Sequence, residues 1–273
     1  MTTSIMLLDD ATGNAPSYFD KYAQEVAEDF AGLGGVKPPR IDTSGGMFQA
    51  YAGGEAITKK HAEITATIVN FYPKGSKTGR SYYVGTYDPS QDAASPDCYS
   101  REGDTPEADA KKPQATSCAL CPQNVAGSGS LKDSRACRFN KTLGIAVDGH
   151  DTVFDMRIPA TSIFSRDVSG DQNFGFNQLM QSLSAKNAPV FSLKVKMSFP
   201  EGSQQGMRFS PVEWTASEAI PRMEKLRAEF EVRSTARHTV RPKAGATPAP
   251  VATPAPVTTL AAGAFEDVDD IFN

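Results

Sequence analysis

Every cysteine of the chain falls in one stretch, spaced Cys98-x19-Cys118-x2-Cys121-x15-Cys137. Two thiols in a C-x-x-C turn, with two more in the same segment, form the donor set of a tetrahedral zinc site. Four thiolates leave no open coordination position, so a zinc ion held there would be structural and not catalytic. Buried thiols without metal, or redox use, are the other readings of these residues. The surrounding stretch favours metal. Ser95, Pro96, Gly103, Pro106, Pro113, Pro122, Gly127 and Gly129 break helix and strand patterns, and few large apolar side chains are present to order the segment by burial.

A second set is aromatic and basic. Phe71, Tyr72, Tyr82, Tyr83 and Tyr87 flank a turn carrying Lys74, Lys77 and Arg80. Aromatic residues on strands usually pack in a core or across strands. Neighbours such as Phe71 and Tyr72, or Tyr82 and Tyr83, point to opposite faces, so some of these rings lie away from a core. Rings beside cations suit a single nucleic-acid strand, whose bases stack and whose phosphates need positive charge. Lys132, Arg135 and Arg138 in the cysteine stretch, and Lys194 and Lys196 further on, extend the basic set. Acid–base chemistry finds little support. His61, His150 and His238 are widely separated, and the chain has no phosphate-binding glycine loop, nucleophile elbow or paired-carboxylate metal motif. The expectation is a protein that is not an enzyme.

The elements that position these residues follow from periodicity. Residues 17–31 place Tyr18, Tyr22, Val26 and Phe30 at helical spacing. The run 61–72 alternates as a strand, with Ile64, Ala66 and Ile68 on one face and Thr65, Thr67, Val69 and Phe71 on the other. With residues 81–88 it predicts a β-hairpin tipped by Lys74, Lys77 and Arg80. Strands are also expected over 138–149, 152–158, 190–199 and 207–214, with Lys194 and Lys196 opposite an apolar face. Residues 176–183 read as a helix. A second helix, capped by Thr215 or Ser217 and running to about Val232, carries an apolar stripe of Ile220, Met223, Leu226 and Phe230.

At 273 residues, with 39% hydrophobic and 22% charged content, the chain has an ordinary globular composition. No apolar run reaches the length of a membrane span, and no basic residue precedes Ile5 to Leu8 as a secretory signal would require, so a cytoplasmic location with reduced thiols is expected. The net charge of −4 is unevenly spread: residues 1–30 carry −5, residues 265–273 carry −4, and the stretch between carries +5. Residues 242–264 hold five prolines and eight alanines, the composition of an extended linker. The final FEDVDDIFN interleaves Phe265, Val268, Ile271 and Phe272 with four acids, as a docking peptide would.

The motif CALCPQNVAGSGSLKDSRACR inside a β-rich domain, and FEDVDDIF after a Pro/Ala linker, resemble the single-stranded DNA-binding proteins of tailed phages. The resemblance implies a mainly β fold with peripheral helices, an OB-fold-like barrel carrying a zinc-binding insert at 97–139. It implies a helical segment over 1–45, a DNA-binding domain over 46–241, a linker over 242–264 and a partner-binding tail over 265–273. Such a protein coats and protects single-stranded DNA in replication, recombination or repair, in the cytoplasm of a host cell. Its DNA contacts would come from Tyr72, Lys74, Lys77, Arg80, Tyr82, Tyr83, Tyr87, Lys132, Arg135, Arg138, Lys194 and Lys196. Replication or recombination proteins would dock on Phe265, Glu266, Asp267, Asp269, Asp270, Ile271 and Phe272, and the tail would compete with DNA for the groove. Self-association is a further expectation. The chain departs from the family pattern in its terminal Ile271-Phe272-Asn273, its all-cysteine donor set and its acidic N-terminus. A zinc-ribbon factor binding duplex DNA and a metal-dependent nuclease are the rival readings.

Overall fold

The longest strand, β4 (Glu63–Tyr72), organises the sheet, because its β-branched residues pair on both edges. In the computed structural model, which describes residues 38–85, 96–167, 170–200 and 206–236, the protein is mainly sheet with a few helices. The expected helix over 17–31, Tyr87, the linker and the acidic tail lie outside the described residues. The other strands are β1 (Arg40–Asp42), β2 (Gln49–Ala52), β3 (Glu55–Ala56), β5 (Gly79–Tyr82), β6 (Cys98–Ser100), β7 (Arg138–Ala146), β8 (Val153–Pro159), β9 (Leu193–Ser198) and β10 (Arg208–Trp214). The helices are α1 (Ala160–Phe164), α2 (Phe176–Ser184) and α3 (Ile220–Ala236).

The strand order is β10-β9-β4-β7-β8-β1-β2-β3, with β5 lying between β6 and β7. Among the described residues no ladder joins β10 to β3, so the sheet remains open. β4 pairs antiparallel with β9 through residues 63–67 and with β7 through residues 67–72. A register shift between Ile68 and Asn70 marks a bulge at the crossover. The bulge changes which face each later side chain takes. Phe71 packs against the core that holds Ile68, while Val69 and Tyr72 belong to the opposite side. The uninterrupted alternation expected from the sequence, with Phe71 beside Val69, is corrected here.

The predicted hairpin is also corrected. β4 and β5 do not pair with each other; both run antiparallel to β7, β4 along residues 142–146 and β5 along residues 138–140. They therefore lie end to end on one edge of β7, and the turn at 73–78 offsets the chain without reversing it. Lys141, almost wholly buried, pins this corner by donating from Nζ to the carbonyl oxygens of Pro73 (2.8 Å) and Gly75 (2.9 Å).

Alternation along β7 and β8 sends side chains to two cores. Leu143, Ile145, Phe154, Met156 and Ile158 join Val195, Met197 and Phe209 in the larger one, covered by Ile163 of α1 and by Phe176, Leu179 and Leu183 of α2. Ala146 and Val153 point the other way and meet Met223, Leu226 and Phe230 of α3. Each of the larger side chains contributes about 1.5–3 kcal/mol by leaving water. The stripe expected of the last helix is the face it buries, except that Ile220 is only partly covered. The expected caps are absent: Thr215 Oγ1 donates to the Phe191 carbonyl (2.7 Å), and no side-chain cap precedes the turn at Ser217–Ala219. Arginines fasten α3 instead. Arg222 donates to the carbonyls of Val147 and His150, and Arg233 reaches the Val153 carbonyl (2.7 Å) and Asp155 (2.8 Å). Because α3 covers only the Ala146–Val153 end of this face, the end toward Asn140 and Arg157 is left uncovered.

Candidate metal centre and adjoining groove

β5 brings the outer cysteines together. It pairs with β6 on one edge, where Tyr82 faces Cys98, and with β7 on the other, where Ser81 faces Arg138, the residue after Cys137. The inner cysteines sit on a turn closed by local hydrogen bonds. The Cys118 amide donates to the Asp104 carbonyl (2.9 Å), Asn124 Nδ2 to the Cys118 carbonyl (2.8 Å), and the Cys137 amide to the Gln123 carbonyl (2.8 Å). All four thiols are buried, none is in a disulfide, and all four line one cavity of about 10 Å³. Among the described residues no three metal-ligating side chains already stand together as a ligand group. Reaching the roughly 2.3 Å of a zinc–sulfur bond requires side-chain adjustment around that cavity.

The electrostatics of this cavity distinguish its uses. Burial pushes the thiols of Cys98 and Cys118 up and that of Cys137 to about 11. A reactive or redox cysteine is held low by nearby cations, so burial here argues against a free nucleophile. Arg80 lines the same cavity, and its Nε and Nη1 are buried without a hydrogen-bond partner. An orphaned guanidinium beside four thiols fits a donor set that becomes anionic when it takes a metal.

Adjoining this cavity, and sharing Arg80 and Tyr99 with it, lies a groove of about 720 Å³. Its floor is the uncovered sheet face, and its walls come from the insert and the end of α3. Tyr72, Asn140, Thr142, Ser81 and Tyr99 lie along it, with the cations Arg40, Arg80, Arg101, Lys111 and Arg157 and the acids Asp42, Asp109 and Asp155. The acids are engaged: Asp155 with Arg233, Asp42 with Ser44, and Asp109 with the Tyr99 hydroxyl. Arg101 Nη1 is buried without a hydrogen-bond partner. Three guanidiniums lie over rings, Arg40 at 4.3 Å from Tyr51, Arg80 at 3.6 Å from Phe139 and Arg101 at 6.0 Å from Tyr99. Burial, reinforced by the hydrogen bond to Asp109, pushes the Tyr99 hydroxyl up to about 12.

Of the residues expected to touch DNA, Tyr72 and Arg80 line the groove. The Tyr72 hydroxyl donates to Glu102 (2.9 Å). Tyr82 lines the cysteine cavity, and Tyr83, half-buried, lines neither space. Lys77 pairs with Asp104 (2.7 Å) and Glu102 (3.1 Å), Lys194 with Asp148 (2.9 Å) and Glu213 (3.2 Å), and Lys196 with Glu63 (3.5 Å). Lys74 hydrogen-bonds Asn70 and lies 3.7 Å from Glu231. Lys132, Arg135 and Arg138 are exposed on the insert, outside the groove, and Arg135 donates to Asn124. Arg40, Tyr99, Arg101, Lys111 and Arg157 were not anticipated. For Arg157 a signal existed, since it alternates with Met156 and Ile158 in a run that must face two ways. No family model matches the chain, and comparison with characterised proteins and with solved structures gives no match.

Proposed function

We propose that this chain binds single-stranded DNA in the groove, without strong sequence preference and without acting on it as an enzyme. Zinc held by Cys98, Cys118, Cys121 and Cys137 would order the wall beside it. The observation that carries this reading is a groove with five cations against three engaged acids, buried guanidinium nitrogens of Arg80 and Arg101 without hydrogen-bond partners, and the rings of Tyr72 and Tyr99. Such a surface offers phosphates a charge and bases a face while reading little sequence. An OB-like arrangement is supported by β4, shared between β7 and β9 across a bulge, and by α2 ahead of β9 and β10. In this reading the insert supplies the wall that strand closure would otherwise provide. The tail over 265–273 would recruit replication, recombination or repair proteins, and the context would be that of a phage protein acting in the host cytoplasm.

The test is titration of a labelled oligonucleotide, single-stranded or annealed to its complement, at two salt concentrations. Tighter binding of the single strand, weakening as salt rises, is expected. Preference for the duplex would sink the proposal in favour of a duplex-binding zinc protein, and cleavage of the probe on adding magnesium would identify a nuclease.

A further inference from the structure

Arg80 stands where the two sites meet, lining both the cysteine cavity and the groove. It is closely held. Its guanidinium carbon lies 3.6 Å from the centre of the Phe139 ring, and on β6 it faces Ser100 in register. Gly103 closes the space beside it: a Cβ there would come within 3.3 Å of Arg80 Nε and 2.2 Å of the Thr78 carbonyl oxygen, and the positive φ of 84° also disfavours a side chain. Nε and Nη1 remain buried and without a hydrogen-bond partner, so the packing fixes a charge but does not satisfy it.

We propose that Arg80 is the charge partner of the four-thiolate centre and the residue through which occupancy of that centre reaches the groove. This rests on the metal reading above. Four thiolates around a divalent ion carry net negative charge, and a planar fork of N–H donors lining the same cavity would stabilise the set and be stabilised by it. Without the metal-bound thiolates, Nε and Nη1 stay without a partner, and the groove loses the anionic set that would stabilise the charge of one of its cations. Arg80 is thus a positioning residue for the metal and a contact residue for the strand.

The experiment compares full-length wild type with Arg80→Met, which keeps length and packing without charge, and Arg80→Lys, which keeps the charge. Zinc affinity is read by competition with a chromophoric chelator across a pH series, and oligonucleotide affinity is read in zinc-loaded and in metal-free, reduced protein. Arg80→Met should weaken zinc about 10–100-fold and move the pH midpoint of zinc uptake upward, while Arg80→Lys stays nearer wild type. Oligonucleotide binding should depend on zinc in wild type and lose that dependence in Arg80→Met. If Arg80→Met holds zinc as tightly as wild type, or if the two variants lose affinity equally, the proposal is overturned while the metal reading stands. A wild type that takes up no zinc overturns both.

Discussion

The ring of Phe230 in α3 rests directly on the backbone of Gly144 in β7, so closely that a Cβ at 144 would lie 2.7 Å from Phe230 Cδ2. This contact seats the helix on the sheet and fixes where the covered face ends and the groove begins. Gly144→Ala should force the ring outward and destabilise the protein by about 1–3 kcal/mol, as overpacking does. Phe230→Ala, which removes the ring, should cost about 3–5 kcal/mol. Chemical denaturation of both variants tests this; wild-type stability in Gly144→Ala would mean that the helix shifts freely.

Cations in the groove and cations on the sheet surface should behave differently. Arg101→Ala and Arg157→Ala should each weaken single-strand binding and reduce the salt slope by about 0.7, the value for one phosphate contact on a single strand. Lys77→Ala and Lys196→Ala remove cations already facing carboxylates and should leave affinity and slope near wild type. Equal effects from the two groups would place the strand elsewhere.

Tyr99 faces the groove while its strand neighbours Cys98 and Ser100 are buried. If a base stacks on it, Tyr99→Ala should lose about 1–3 kcal/mol of binding while Tyr99→Phe retains most of it. Fluorescence anisotropy of a labelled oligonucleotide separates these outcomes, and equal loss in both variants would assign the effect to the hydroxyl bonded to Asp109.

Lys141 predicts a pH signature of stability. Burial lowers it from its ordinary 10.5 to about 8, so the fold favours the neutral amine. Between those values the unfolded chain keeps a proton that the folded chain has released, and the contribution of this group rises with pH across that window. Relative to Lys141→Met, wild type should therefore gain stability as pH climbs from 8 to 10.5 and gain nothing further above it. Denaturation curves at several pH values check this, and a constant difference would show that the amine titrates as it does in water.

Metal removal supplies the remaining prediction. Stripping zinc from thiol-reduced protein should loosen residues 101–137, visible as faster amide exchange there, and weaken strand binding without unfolding the main core, whose residues lie elsewhere. Full affinity in the metal-free state would overturn the proposal that the insert serves as a wall.

Some of this architecture was readable in the chain alone. The alternation of β9 put Leu193, Val195 and Met197 inside and Lys194 and Lys196 outward, and the spacing of Met223, Leu226 and Phe230 marked the buried stripe of α3, because periods of two and 3.6 residues are local properties of the backbone. The four cysteines, grouped in one stretch of sequence, line one cavity, and the zinc expected there is a proposal. What the residues could not reveal in one dimension was partnership. Whether β4 meets β5 or both meet β7, whether Lys196 faces solvent or Glu63, and whether Arg40, Arg101 and Arg157 share one groove depend on strand pairing and charge contacts between distant positions. A register shift of one residue at Ile68 turned Phe71 from one core to the other. Local periodicity determined which side chains are apolar-facing; long-range packing alone decided which cations gather along one groove.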